Sequence, residues 1–521
     1  MIGLLASCFE DESNTKIEKI NPIHIELGDF STTVSVYLLD TLRINPIIYK
    51  EGTDDAKLSF TWEISGNDIV PAILGTTMNL NAVITVPASA DAYRLVLTAT
   101  DEDTGLKNYE ELRLYVMSNF GRGLLIADTK DEQNSDLNLV MSANFSATWT
   151  AFPEKNTKTM KSVFSQCNNG NLIEGLVNGM QSTSQDGMIR TLTVTTGHSV
   201  VRMDPYDYLA GKENQELFFV PVTGKFAPRG IQYDGNVYYE LLNIDGTIYS
   251  RRMRESNLYY GAPLVTSDYE EYDISQMCAI PEYSYYESAY YFDEKLNRFL
   301  SSSLDHMELQ TIDHSDPRVF DPNHVGEKDA LFMGVGSGKN IFTLFKNEKS
   351  NDYFLYTFIP TAVISGTTFT PQHVYNLSSA TGIQQAVAYE CSALEEVFYY
   401  ATDKKVYAAL LTQDTPEAFE RYSIDIDEDD PNTKITSIKL WKQNYQGKIK
   451  IKDSEAEEGY TEIYAGNRMM MITTYNEVTK EGKVICVPVM NLNSGTLEKD
   501  KSFHKVYDGF GRILYLAPQS L

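Results

Sequence analysis

The run Asp313-His314-Ser315-Asp316, followed by Asp321-Pro322-Asn323-His324, is the densest set of metal-capable side chains in the chain. Two imidazoles and three carboxylates in a proline-marked loop suit a divalent cation or a polarised substrate. The ten-residue step from His314 to His324 matches no metal-binding spacing. His314, Asp316 and His324 therefore stand as weak ligand candidates, and a loop between strands is the expected reading. The glycine-rich segment Gly334-Val335-Gly336-Ser337-Gly338-Lys339 suggests a phosphate loop. It has three residues before the Gly-Lys pair where the phosphate loop has four, and Asn340 replaces the magnesium-holding hydroxyl, so a turn between strands is expected. Asp425-Ile426-Asp427-Glu428-Asp429-Asp430 resembles a calcium loop in charge only. Its sixth and twelfth positions are Asp430 and Thr436 where Gly and Glu are needed. No nucleophile elbow and no His-Glu-x-x-His motif occurs. A carboxylate pair for glycoside hydrolysis is defined in space and has no sequence signature.

The aromatic residues point to contact more than to catalysis. The chain has 34 tyrosines, several clustered: Tyr259-Tyr260, Tyr269 with Tyr272, and Tyr283-Ser284-Tyr285-Tyr286. Tyrosine joins a large, stiff contact area to a polar tip. Tyr269, Tyr272, Tyr283, Tyr285 and Tyr286, in a region that reads as loops, are the candidate contacts for a protein, peptide or sugar. The competing expectation is that tyrosine simply packs the sheets.

A different chemistry is suggested near the start. Leu4-Leu5-Ala6-Ser7-Cys8 has the apolar, small, small, cysteine order that ends a bacterial lipoprotein signal, which makes Cys8 the expected site of lipid attachment. Only Met1 to Leu5 precede the box, whereas a signal needs a basic start and a longer apolar core. Met1 is therefore expected to be an internal methionine of a longer precursor, or a truncated start. Residues 9–20 are polar and acidic at first and too poor in apolar groups to fold alone, as a flexible tether should be.

Composition bounds the rest. The 521 residues are 42% hydrophobic, enough for two or more domains. No run approaches the ~18 apolar residues of a membrane span, so the expected membrane link is the lipid. The net charge of −28 argues against nucleic acid, whose phosphates need a basic footprint. Besides Cys8 there are cysteines at 167, 278, 391 and 486, widely spaced and without a Cys-x-x-Cys motif. They are expected to be buried free thiols in preference to disulfides. No cofactor is expected.

Two kinds of periodicity organise the chain. Apolar residues alternate at Ile23, Ile25 and Leu27, at Leu58, Phe60 and Trp62, at Tyr93, Leu95, Leu97 and Ala99, and at Leu112, Leu114 and Val116. Period two over short runs reads as half-buried antiparallel strands. Residues 21–118 are thus expected to form an immunoglobulin-like sandwich with Trp62 as core anchor. Beyond it, a strand, a polar turn and a second strand recur. The clearest copies are Val237–Tyr249, Ala289–Phe299 and Val397–Tyr407, with Ile341–Asn347 between the last two. Weaker pairs begin at Leu124, Thr191 and Met469. The spacing is near 50 residues: Tyr239 and Tyr291 are 52 apart. An all-strand repeat of this length predicts a β-propeller over 119–521, with seven blades counted and six or eight left open. Asp245-Gly246 predicts a hairpin turn, and the strand Gly511–Leu516 is expected to close the ring against the strands near Leu124. The fold class is all-β.

The stretch Tyr93-Arg-Leu-Val-Leu-Thr-Ala-Thr-Asp101, then Leu112-Arg-Leu-Tyr-Val116, resembles the end of a PKD-type domain. Tyr37–Pro46 and Gly121–Ile126 are similar to the opening of PKD-like lipoproteins of the Bacteroidetes and to the start of their second domain. That resemblance implies a lipid-anchored protein of the outer membrane facing the cell surface. It further implies a non-catalytic accessory role beside a starch-utilisation-type importer, meaning a TonB-dependent barrel with a lid lipoprotein, in the uptake of oligopeptides or glycans. The alternatives are a free-standing surface glycan-binding protein, and a lyase or hydrolase that uses the propeller funnel.

Overall fold

The structure is a computed structural model. It describes residues 20–28, 32–53, 55–67, 69–149, 157–185, 189–235, 238–253, 259–281, 289–302, 305–314, 319–347, 349–363, 366–424, 431–491 and 493–520. Cys8, Tyr283, Tyr285, Tyr286, Asp316 and the acidic run 425–430 lie outside the described residues. The chain divides into two compact units, Met1–Asn119 and Phe120–Leu521.

In the first unit three of the four alternating runs become strands of one five-stranded sheet, and the fourth, at Ile23–Glu26, pairs in a separate ribbon. The sheet's spatial order is Thr33–Tyr37, Lys107–Met117, Tyr93–Asp101, Leu58–Gly66, Ile69–Gly75. Thr33–Tyr37 runs parallel to Lys107–Met117, and the other neighbours are antiparallel. Two ribbons complete the sandwich: Ile23–Glu26 with Ile47–Lys50, and Thr41–Ile44 with Leu80–Val83. Period two places Leu95, Leu97, Leu112 and Leu114 on the buried face together with Ile64 and Trp62. Trp62 is fully buried, and its indole N–H donates to Thr77 O at 3.1 Å, so the ring is packed with its polar atom satisfied. Asp101 pairs with Lys50 and accepts the backbone N–H groups of Asp103 and Thr104, which ties the Tyr93–Asp101 strand end to its turn.

In the second unit the described strands form seven sheets of three to five strands and one two-stranded ribbon, Lys448–Lys452 with Tyr460–Tyr464. In six of these sheets the hairpin read from the sequence supplies middle strands, and in the three-stranded sheet it supplies the middle strand Tyr239–Ile244 and the edge strand Thr247–Arg252. Val397–Ala401 and Lys405–Leu410 are one such pair, Tyr290–Asp293 and Arg298–Ser302 another. These strands are buried on both faces, which is why they read as unbroken apolar and aromatic runs. Asp245 and Gly246 both take positive φ (46° and 84°) between Tyr239–Ile244 and Thr247–Arg252, as a two-residue type I′ hairpin requires.

The innermost strand of each sheet packs on that of the next. Starting from Arg512–Gln519, the order runs through Val177–Gln185, Pro228–Asp234, Ile274–Ala279, Asp329–Val335, Ala388–Cys391 and Thr433–Leu440. The circuit returns through Lys439, whose Nζ donates to Leu516 O at 2.8 Å. Arg512–Gln519 itself pairs antiparallel with Gly123–Thr129, so the end of the unit is woven into its first sheet as the sequence predicts. Asp128 fixes this closure by accepting the Gly511 N–H (2.6 Å) and the Asn138 amide (2.8 Å). Radial sheets in a closed ring are a β-propeller. Packed side chains hold adjacent sheets together. Phe292, Phe299, Phe345, Phe358 and Phe369 form one continuous aromatic cluster, with Phe358 stacked on Phe369.

Candidate functional site

The seven innermost strands surround a cavity of about 820 Å³. Every one of them contributes to its wall, including Gln181, Gln232, Cys278, Met333, Tyr389, Lys439 and Ala517. Such a wall follows from the fold: the inner edge of each sheet faces the axis and its side chains converge there. The volume falls within the ~300–1,000 Å³ typical of small-molecule sites.

The lining chemistry is distinctive for so acidic a protein. The charged residues in the wall are Lys339, Lys439, Lys442 and Glu390. Lys442 follows the strand Thr433–Leu440, and its Nζ donates to Glu390 Oε1 (2.8 Å) and Val335 O (3.1 Å), with Cys391 Sγ at 3.7 Å. Burial disfavours its charge, but Cys391 and Glu390 outweigh that and hold its pKa above the usual lysine value. Glu390 Oε1 also accepts the Cys391 N–H, and Oε2 accepts the Leu440 N–H at 3.1 Å. This carboxylate is fully committed to holding two sheets together. Lys439 stands 4.9 Å over the ring of Tyr515 while it bonds Leu516 O. Glu390 is thus matched by Lys442 within the wall.

Five side-chain amides share the wall: Gln181, Gln232, Gln443, Asn444 and Asn467. Trp441 and Asn467 are joined by a 2.6 Å backbone hydrogen bond from Asn467 N to Trp441 O. The Trp441 Nε1–H and Asn467 Oδ1 are both buried without a hydrogen-bond partner. Burial pushes the Tyr389 hydroxyl up to about 12, so it remains a neutral donor. Burial likewise raises the Cys391 thiol to about 12, which keeps it protonated and a poor nucleophile.

The residues singled out from the sequence fall elsewhere. Tyr269 is 88% exposed in a turn closed by its N–H to Thr266 O. Tyr272 turns inward: its hydroxyl donates to Leu264 O at 2.7 Å and accepts the Ile248 N–H at 3.3 Å, and its ring packs on an inter-sheet cluster. The two are therefore not one contact surface, and Tyr272 acts as a strut. His314 lies on the two-residue strand Asp313–His314, paired parallel with Thr368 and Phe369. His324 is exposed, its Nδ1 3.7 Å from Asp321 Oδ2. Asp321 in turn caps the backbone of Asn323, and Asn323 donates to Ile312 O, so the loop is organised around itself. No group of three or more metal-capable side chains occurs among the described residues. The glycine-rich segment is indeed a turn, between Asp329–Val335 and Ile341–Lys346, but Gly334, Gly336 and Lys339 border the cavity. Cys167, Cys278, Cys391 and Cys486 are all free thiols, Cys278 being only partly buried. Sequence reading missed Glu390, Lys439 and Lys442: the two lysines stand three residues apart, 49 and 52 residues beyond Glu390, without any motif linking them.

Residues 8–175 match the model of the PKD-like family, a span that takes in the sandwich and the first strands of the propeller. No curated protein matches the chain. Among solved structures, the WD40 domain of SCAP from fission yeast is similar at 10% identity over 61% of this chain and 71% of that one, with a TM-score of 0.33. The extracellular domain of a hybrid two-component system from B. thetaiotaomicron is 9% identical, covering 90% of this chain and 76% of that one, with a TM-score of 0.32. An exported protein of Bacteroides fragilis is 9% identical over 54% and 84% of the two chains, with a TM-score of 0.24. At these scores the likeness carries no argument about function, and the propeller assignment rests on the ring of strands itself.

Proposed function

We propose that this protein is an exported surface lipoprotein, anchored through Cys8, whose propeller serves as a non-catalytic ligand-binding accessory to an outer-membrane nutrient importer. The observation that carries the binding part is the central cavity. The one carboxylate among its described lining residues is engaged by Lys442 and two backbone N–H groups, whereas hydrolysis of a glycosidic bond asks for two carboxyl groups with separate roles. Lysines, amides and aromatic rings around a defined volume suit recognition. The Leu4–Cys8 run, the acidic tether and the match to the PKD-like family over residues 8–175 support export and anchoring. Among the described residues no helix is long and apolar enough to cross a membrane, and a bacterial lipid anchor would supply the attachment.

The importer role is tested by isolating the complex from detergent-solubilised membranes at native expression. A TonB-dependent barrel and its lid lipoprotein should co-purify with the wild-type chain. Palmitate labelling should be present in the wild type and lost in Cys8→Ala. An unlabelled wild-type chain, or one that purifies without a barrel, removes that part of the reading. The second reading, a free-standing glycan-binding protein, draws on the same cavity and would be favoured by ligand capture without a barrel.

A further inference from the structure

Large apolar side chains gather on the outer rim of two neighbouring propeller sheets. We propose that this rim is the docking surface for a partner protein that presents an apolar patch with lysine or arginine at one end. The inference goes beyond the importer reading, because it is drawn from the rim and not from the cavity or the anchor.

The strap from Tyr260 to Tyr269 builds the surface. It crosses from the sheet edged by Thr247–Arg252 to the sheet whose outermost strand is Val265–Thr266. At its start Tyr260 N donates to Leu217 O (2.8 Å) and Phe219 N donates to Tyr260 O (3.0 Å). Leu264 N then donates to Ile248 O (2.9 Å), and Val265–Thr266 pairs parallel with Glu308 and Leu309. Tyr260, Leu264, Thr266 and Leu309 turn inward and are buried. Their neighbours turn outward: Phe219 is 79% exposed, Val265 55%, Tyr269 88% and Met307 70%.

These backbone bonds place the four outward groups along one stretch of rim. Single exposed apolar side chains are ordinary, whereas a row of large ones marks an interaction surface. Phe, Tyr and Met are among the residue types enriched at the centres of protein interfaces. The strap is held by both sheets, so a partner meets a backbone already in place and little ordering opposes binding.

Charge selects the partner. Around Val265 and Met307 the border is acidic: Asp268, Glu270, Glu271, Asp305 and Glu308 stand there with Lys295 and Arg298. Lys295 is engaged by Glu271, and Arg298 by Asp268 and Asp293. The Phe219 end carries both signs, with Glu216 and Lys225. Basic groups opposite the Val265 end therefore gain attraction and fix the partner's orientation. A second copy of this chain would bring the same acidic border and a further net charge of −28. Anionic lipid is opposed by the same border.

The test is photo-crosslinking of the full chain at native expression, with p-benzoylphenylalanine placed at Phe219, Val265 or Met307. The control position is Val478, 69% exposed on the turn between Met469–Asn476 and Glu481–Asn491. All three rim positions should give an adduct with one and the same protein, and Val478 should give none. Mass spectrometry of the partner's cross-linked peptide should find lysine or arginine beside apolar residues. Glu270→Lys should lower the Val265 adduct roughly threefold, the size of one exposed ion pair, and added salt should lower it too. The three positions are exposed, so a folding defect at one leaves the other two to decide. No adduct from the folded rim variants overturns the docking surface; if a barrel still co-purifies with the wild type, the importer reading stands. An adduct of twice the chain mass, or one to lipid, overturns the choice of partner. A partner peptide without basic residues, or an adduct indifferent to Glu270→Lys and salt, overturns the charge assignment. A basic-ended partner that belongs to no importer upholds this inference and removes the importer reading.

Discussion

The Nζ of Lys442 lies 2.8 Å from Oε1 of Glu390, across the seam between the strand Ala388–Cys391 and the segment that follows Thr433–Leu440. Glu390 is 7% exposed and holds the Leu440 N–H with its other oxygen, so a single carboxylate pins two neighbouring sheets. Lys442→Met leaves that carboxylate buried without its cation. The variant should unfold with a loss of about 1–3 kcal/mol, because the lysine is partly exposed and the two backbone donors remain. Chemical denaturation of the single variants and of the double variant with Glu390→Gln checks this. The double variant should be more stable than the sum of the two losses predicts.

Trp62 should be the most costly single truncation in the sandwich. Its ring is fully buried and its N–H is bonded to Thr77 O. Trp62→Ala should lower stability by about 3–5 kcal/mol. In calorimetry only the transition of the unit Met1–Asn119 should move, since the substitution lies within that unit.

Closure of the ring gives a third expectation. A Cβ built on Gly511 would collide with the carbonyl oxygen of Thr129, which belongs to the strand that Arg512–Gln519 pairs with. Backbone cannot rotate aside as a side chain does. Gly511→Ala should therefore destabilise the propeller by about 1–3 kcal/mol. It should also increase hydrogen exchange along Gly123–Thr129 first.

Acid–base behaviour gives a fourth. Burial raises the Glu395 carboxyl to about 7, although it accepts from the Tyr399 hydroxyl (2.9 Å) and the Gly495 N–H (3.3 Å). Between about pH 4.5 and pH 7 the unfolded chain has lost this proton and the folded one has kept it. Stability from this group is thus complete below 4.5 and is lost as pH rises to 7. The loss should be on the order of 2 kcal/mol after allowance for solvent screening. Glu395→Gln should flatten denaturation midpoints across that window. Asp207, raised by burial to about 6, acts with the same sign and should leave a smaller slope below pH 6.

In the sandwich, Asp101 has the opposite sign. The Lys50 ammonium is the main reason its carboxyl is held down at about 2. Its contribution is present above pH 3.8 and disappears as pH falls through 2. Asp101→Asn should therefore cost stability at neutral pH and make the sandwich less sensitive to acid, as followed by circular dichroism from pH 5 to pH 2.

Most of the architecture could be read from residues with strong local signals, and the site could not. Val397–Ala401 and Tyr290–Asp293 are buried on both faces, so selection for packing leaves continuous aromatic runs that repeat at regular intervals. The strands Tyr93–Asp101 and Lys107–Met117 each bury one face and alternate cleanly. The innermost strands have neither pattern. Val177–Gln185 (VNGMQSTSQ) and Thr433–Leu440 (TKITSIKL) face a polar axis and must carry amides, hydroxyls and lysines there. Those residues look like loop composition when read singly. Only the ring gathers Gln181, Glu390 and Lys439 into one wall, from positions more than two hundred residues apart at the extreme. The Tyr272 hydroxyl illustrates the converse: clustered aromatics suggested an exposed contact, and burial of the ring turned the residue into a brace.

The pairing of Arg512–Gln519 with Gly123–Thr129 also sets the order of events in making the protein. A ring fastened in this way stays open until Arg512–Gln519 has been made, because its partner strand Gly123–Thr129 emerges much earlier. The sandwich, whose strands all lie before residue 120, has no such dependence and can fold before the propeller strands are complete. The propeller locks only once Arg512–Gln519 is available to pair with Gly123–Thr129.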